Sequence, residues 1–153
     1  IRPLMIEVQA LVSSAVYGTP QRSATGFNSK RLNMILAILE KRAGIQIGSK
    51  DVFLNITGGI NIDDPSIDLA VISSIISSHE NIPIDRNICF SGEIGLSGEL
   101  RGISKPKERL SEAEKLGFNL FVTSNSKIDN LDKSKIVIKK LDQIEDLIEF
   151  LFK

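Results

Sequence analysis

Apolar and polar positions follow two rhythms along the chain, and the switches between them mark its elements. Between Met5 and Leu11, Ile6, Val8 and Ala10 face one way while Met5, Glu7, Gln9 and Leu11 face the other, the period of two of a half-buried strand. A Gly-Thr-Pro turn follows at residues 18–20. In "NSKRLNMILAILEKRAG" the period lengthens. Leu32, Ile35, Leu36 and Leu39 share one helical face, Asn28 or Ser29 supplies the N-cap, and Gly44 stops the helix after Lys41 and Arg42. "DVFLNIT" returns to β-branched and aromatic residues and predicts a strand ending at Gly58-Gly59.

The second half opens with "IDDPSIDLAVISS". Asp64 is placed as N-cap, Pro65 at N1 where its missing N–H costs nothing, and Ser66 at N2, with the helix running to about His79. "NICFSGEIGLSGELRGI" predicts two short strands joined by a hairpin, with Gly95 and Gly98 supplying turn and bulge. "KPKERLSEAEKLGF" is a helix stopped by Gly117, "NLFVTS" and "KIVIKKL" are strands, and "LDQIEDLIEFLFK" is a closing amphipathic helix. The order β, β, α, β, α, β, β, α, β, β, α is that of an α/β fold with hairpins mixed in. No repeat, low-complexity tract or linker divides it, so residues 1–153 are expected to form one domain.

Charge and cysteine content narrow the function. Nineteen basic and nineteen acidic residues cancel, so any contact with DNA or an anionic membrane has to be a local patch. The single cysteine, Cys89, lies in an apolar run and has no partner for a disulfide, which fits a buried thiol in a reducing, cytoplasmic setting. With one Cys and one His, His79, neither a metal site nor a cofactor is expected within these residues. No apolar run reaches the roughly 18 residues of a membrane span, and no secretory signal pattern opens the chain. The chain starts in strand-like alternation without an initiator Met, which raises the expectation of a longer parent protein.

Three features invite a chemical reading. "GIQIGSK" resembles a phosphate loop, but Gly44 and Gly48 are one residue too close, the Ser precedes the Lys, and a strand follows, so it reads as a helix stop and turn. His79 near a helix C-terminus is a favourable cation there and needs no further role. Arg101, Lys105, Lys107 and Arg109 form the densest positive run, offset by Glu99 and Glu108; either it is a solvated surface, or it contacts an anion or nucleic acid. Without interleaved aromatics, base stacking has no support. Ser66 gains from first-turn N–H groups whether structural or nucleophilic, but nucleophilic use demands a base, and no nearby His or Lys is apparent.

"DDPSIDLA", "SGEIGLSGELR" and "KERLSEAEKLGF" together resemble the Lon peptidase family, whose pattern runs D-G-P-S-A-G, T-G-E-I-x-L-x-G and G-G-L-K-E-K. Carried onto this chain, the family serine falls on Ser66, the T-G-E on Ser91, Gly92 and Glu93, and the dyad lysine on Arg109. Arg109 stays protonated and cannot act as the base that a desolvated lysine provides. Asp64 and Asp68 replace two family glycines, adding carboxylates that are poor bases if exposed. "IEVQALV", "GTPQR", "RLNMILAILE", "DVFLNITGGINIDDPSIDLA" and "FSGEIGLSGELRGI" also resemble the Lon-like C-terminal domain of the RadA (Sms) family of bacterial DNA-repair proteins, from residue 5 to about 123. That family commonly carries Ala where Ser66 stands.

The resemblance implies a Lon-peptidase-like, ribosomal-protein-domain-like mixed sheet with packed helices. It further implies a noncatalytic part of a recombination ATPase that serves ring assembly and DNA contact. The expected partners are DNA, held weakly through Arg101, Lys105 and Lys107, further copies in a hexameric ring, and recombination proteins. ATP, Mg and Zn belong to the other parts of such a parent. Two alternatives stand beside this reading: a surviving serine peptidase using Ser66, and the Lon-like domain of ComM or magnesium-chelatase-type ATPases, which share the "GELSLDGELR" type of strand pair.

Overall fold

The computed structural model describes residues 3–125 and 135–153, and it has the α/β character that the sequence predicts. Strands β1 (Val8–Ser14), β2 (Arg22–Thr25) and β3 (Lys50–Ile56) form one sheet in the order β1-β3-β2, with β1 antiparallel and β2 parallel to β3. The register sets Val8, Ala10 and Val12 opposite Ile56, Leu54 and Val52. These residues line the inner face, where Val52, Leu54 and Ile56 are buried. The predicted alternation is therefore real, although regular pairing begins only at Val8.

Helix α1 (Ser29–Ala43) starts where the Asn28 side chain accepts from the Arg31 N–H at 3.0 Å and ends at Gly44, whose φ of 68° suits glycine. It buries Leu32, Ile35, Leu36, Ile38 and Leu39. Helix α2 (Asp68–Glu80) is the centre of the molecule, touching β1 and β3 of the first sheet and both β4 (Ile88–Ser91) and β5 (Glu93–Ile94) beyond it. Leu69, Val71, Ile72, Ile75 and Ile76 are all fully buried. Each contributes about 1.5–3 kcal/mol relative to exposure, which is why a helix with apolar residues on most sides sits inside. Its serines do separate work at the sheet margin. Ser78 Oγ accepts from the Val12 N–H at 2.9 Å, while Ser74 Oγ donates to the Ala70 carbonyl of its own helix at 2.8 Å and lies 3.3 Å from the Val8 carbonyl.

A second sheet is parallel throughout, in the order β4-β7-β8, with β7 at Leu120–Ser124 and β8 at Val137–Leu141. Helix α3 (Pro106–Lys115) precedes β7, and α4 (Ile144–Phe152) closes the chain against α1 behind a reciprocal Gln143–Asp146 cap. The expected single mixed sheet is thus divided, and the expected two-stranded reading of residues 87–103 needs correction. Three short strands occur there: β4 joins the second sheet, while β5 and β6 (Leu100–Arg101) make the hairpin. The break lies at Gly92, whose N–H reaches the Ser66 carbonyl at 2.8 Å and whose own carbonyl accepts from Leu69 N–H. A Cβ at Gly92 would lie 2.6 Å from Leu69 Cδ1, so any other residue there would force the buried Leu69 side chain to move. In the hairpin Gly98 has the positive φ, 82°, and Gly95 does not.

Candidate functional site

Residues from three places meet at Ser66. The predicted helix start is a single 3-10 turn, Pro65–Ile67, that feeds directly into α2. Asp64 caps it, its side chain accepting from the Ser66 N–H at 3.0 Å. Ser66 is 5% exposed, so its hydroxyl needs partners from the protein. One comes from α3. Arg109 Nη1 donates to Ser66 Oγ at 2.7 Å, and Nη2 donates to Asp64 Oδ2 at 2.8 Å. Ser104 fixes the guanidinium from behind, its carbonyl accepting from Nε at 2.7 Å and its hydroxyl from Nη2 at 3.2 Å. Lys105, at φ 50°, turns the chain in the left-handed region just before α3 and has no capping side chain.

Burial pushes the Asp64 carboxyl upward, but hydrogen bonds from Arg109 and from the amide and hydroxyl of Ser66 outweigh it and hold it below its ordinary range. The two positions aligned with the Lon dyad, Ser66 and Arg109, are therefore in direct contact, with the arginine as donor.

Asp68 is placed differently from the exposed carboxylate that the sequence reading allows. It is fully buried, grips Arg31 of α1 through both carboxylate oxygens, and accepts from the Ile94 N–H at 3.0 Å. The hydrogen bond with Asp68 raises the Arg31 pKa against the opposing effect of burial. Glu93 adds a longer contact to Arg31 at 3.7 Å. Sequence reasoning does not single out Arg31. The available signal is Asp68 itself, an acid in an apolar helical run, which requires a buried counter-charge.

A cavity of about 350 Å³ opens beside Ser66. Its polar end holds Asp64, Ser104, Lys105 and Arg109, and its apolar walls come from Leu4, Met5, Ile6, Ile67, Phe90 and Phe121. Ser91, at the T-G-E position, also lines it, 4% exposed and with no hydrogen-bond partner for its hydroxyl. Cys89 lies two residues earlier on the same face of β4. Its thiol is 3.8 Å from Met5 Sδ, and burial pushes it up to about 11. A second cavity of about 380 Å³, lined by Lys30, Arg31 and Asp63, shares Ile62 and Asp64 with the first.

The positive run is split. Arg101, Lys105 and Lys107 are exposed, Arg101 lying 3.6 Å from Glu99, whereas Arg109 turns into the cavity. His79 occupies the last turn of α2. In "GIQIGSK" the carbonyls of Ile47 and Gly48 accept from Arg22 at 3.2 Å, the opposite polarity to a phosphate cradle. Among the described residues, no three His, Cys, Asp or Glu side chains are grouped to hold a metal ion, and no helix is long and apolar enough to cross a membrane.

Comparison with known proteins adds two findings. The profile of the family described as "Subunit ChlI of Mg-chelatase" matches residues 7–127. The chain is also 41% identical over 134 residues to the DNA repair protein RadA of Bacillus subtilis, 38% over 152 residues to that of Streptococcus pneumoniae, and 47% over 130 residues to that of Rickettsia typhi. These alignments cover 88%, 99% and 85% of this chain but only 29%, 36% and 29% of the relatives, so the chain spans about a third of their length.

Proposed function

The chain belongs to the family described as subunit ChlI of Mg-chelatase, and from that premise and its identity to RadA proteins we propose that it is a noncatalytic, Lon-like domain of a RadA-type DNA-repair ATPase. Its work is oligomer assembly and DNA contact, in the cytoplasm. ATP, Mg and Zn would be held by other parts of the parent protein.

The observation that carries the noncatalytic reading is the contact of Arg109 with Ser66 at 2.7 Å. A serine hydroxyl attacks a carbonyl only when a neighbour takes its proton. Arg109 is a permanent donor, and Asp64 is a weaker base than a free carboxylate because its anion is already stabilised. Both effects oppose acyl transfer.

DNA contact rests on Arg101, Lys105 and Lys107, a small patch on a chain of zero net charge. One copy would bind weakly, and a ring would multiply the patch. A salt titration of DNA binding tests this: Lys105→Ala together with Lys107→Ala should lower the salt slope by about one for each phosphate that the pair neutralises. An unchanged slope would make the patch a solvated surface. Sedimentation over a concentration series tests assembly, and a strict monomer at high concentration would move that role to the rest of the parent. The family match to residues 7–127 favours a second reading, the equivalent domain of a ComM or magnesium-chelatase-type ATPase. The 85–99% coverage in alignments with three RadA proteins weighs for the first.

A further inference from the structure

The cavity beside Ser66 is unexplained by DNA contact or assembly, and its construction is that of a ligand site. A volume of about 350 Å³ is at the lower end of small-molecule pockets, and the lining follows their pattern of apolar walls with convergent polar groups at one end. Met5, Ile6 and Phe121 supply apolar wall; Arg109, Ser104 and Lys105 stand at the other end.

Two details select the ligand's chemistry. The first is Ser91. Strand alternation puts its side chain on the face of β4 that carries Cys89, and both residues line the cavity. A hydroxyl buried to this extent without a partner is costly, and a ligand oxygen in the cavity would satisfy it. The second is what Arg109 already holds. Its Nη2 grips a carboxylate belonging to the chain itself, Asp64, whose side chain is 47% exposed and sits on the irregular stretch before the 3-10 turn. Asp64 thus occupies the place that the carboxylate of a bound molecule would take, and it has solvent into which to withdraw.

We propose that this cavity binds a small carboxylate with an apolar tail, whose carboxylate displaces Asp64 from Arg109 and accepts from Ser91 while the tail lies against Met5, Ile6 and Phe121. Lys105 at the mouth adds an exposed cation that favours the anion over a neutral analogue of the same length.

The probes are hexanoate, hexan-1-ol and acetate, titrated into the 153-residue chain with amide NMR shifts as readout. Hexanoate should shift Ser66, Cys89–Ser91 and Ser104–Lys105, and should bind at least about tenfold more tightly than either of the others, a gap of roughly 1.4 kcal/mol. Asp64→Asn should tighten hexanoate several-fold, because the internal competitor loses its charge; a gain of affinity cannot arise from misfolding. Ser91→Ala should weaken hexanoate without lowering thermal stability. Equal binding of hexan-1-ol, absence of shifts in these segments, or unchanged affinity in Asp64→Asn would each overturn the proposal. The DNA-contact reading is untouched by either result.

Discussion

Asp64 and Asp68 stand four residues apart, and each is paired with an arginine from a different helix, yet the two pairs do different jobs. Asp68 and Arg31 join α2 to α1 and, through the Ile94 amide, to β5; the acid side chain has no exposure and the arginine 26%. Asp64 and Arg109 meet at a cavity mouth, where the acid is 47% exposed and the arginine is shared with Ser66 and Ser104. The same two residue types therefore make a clamp when water is excluded from the acid, and a solvent-screened contact when it is not. Burial decides which, because it sets the cost of breaking the pair.

The sharpest way to break this comparison is to remove each acid. Asp68→Ala leaves the Ile94 N–H and the guanidinium of Arg31 without their acceptor, and should cost about 3 kcal/mol, at the low end for buried pairs because Arg31 keeps some solvent. Urea unfolding measures it, and a loss below about 1 kcal/mol would erase the distinction between the pairs. Ser66→Ala comes next, at a few tenths to about 1 kcal/mol for removal of the hydroxyl's hydrogen bonds. It should also leave reactivity toward a serine-directed phosphonate at the baseline of the unaltered chain. Labelling that disappears in Ser66→Ala would reveal a working base and sink the noncatalytic reading.

Asp64→Asn should have the smallest effect, about 0.5 kcal/mol, since asparagine still caps the turn and the ion pair it removes is half solvated. Its pH signature sharpens the comparison. The folded-state pKa of Asp64 lies below its ordinary 3.8, so its contribution is present above that value and lost as pH falls through the lowered folded value. Stability curves of the two forms should therefore converge in strong acid. Curves that stay parallel down to that range would mean that the charge of Asp64 stabilises nothing.

Much of the local structure was legible because its signals are local. The cap at Asn28, the stop at Gly44, the Asp64 cap before Pro65 and the alternation in β1 depend on neighbouring residues, and they are present, although β1 pairs only from Val8 and the α-helix after Asp64 begins at Asp68 behind a 3-10 turn. The parallel pairing of β4 with β7 was not legible, since 32 residues separate Cys89 from its partner Phe121 and alternation says nothing about which strand lies beside which. The site was legible in part. Family spacing singles out Ser66 and Arg109, and the structure brings them within hydrogen-bond distance. The burial of Asp68, its hold on Arg31 and the orphaned hydroxyl of Ser91 depend on packing among three elements, which no single stretch encodes.

The serines of α2 at the margin of β1 constrain how copies of this domain meet. A strand at the border of a sheet is a template on which another chain can polymerise through its main chain. Here one outward group of β1, the Val12 N–H, is already taken by Ser78, and Ser74 one helical turn earlier sets its hydroxyl 3.3 Å from the Val8 carbonyl, so that a helix covers part of this border. A helix offers no further template, so main-chain pairing is opposed where it covers the strand. A second copy that met the domain over this helix would find side chains, not main chain, to pack against.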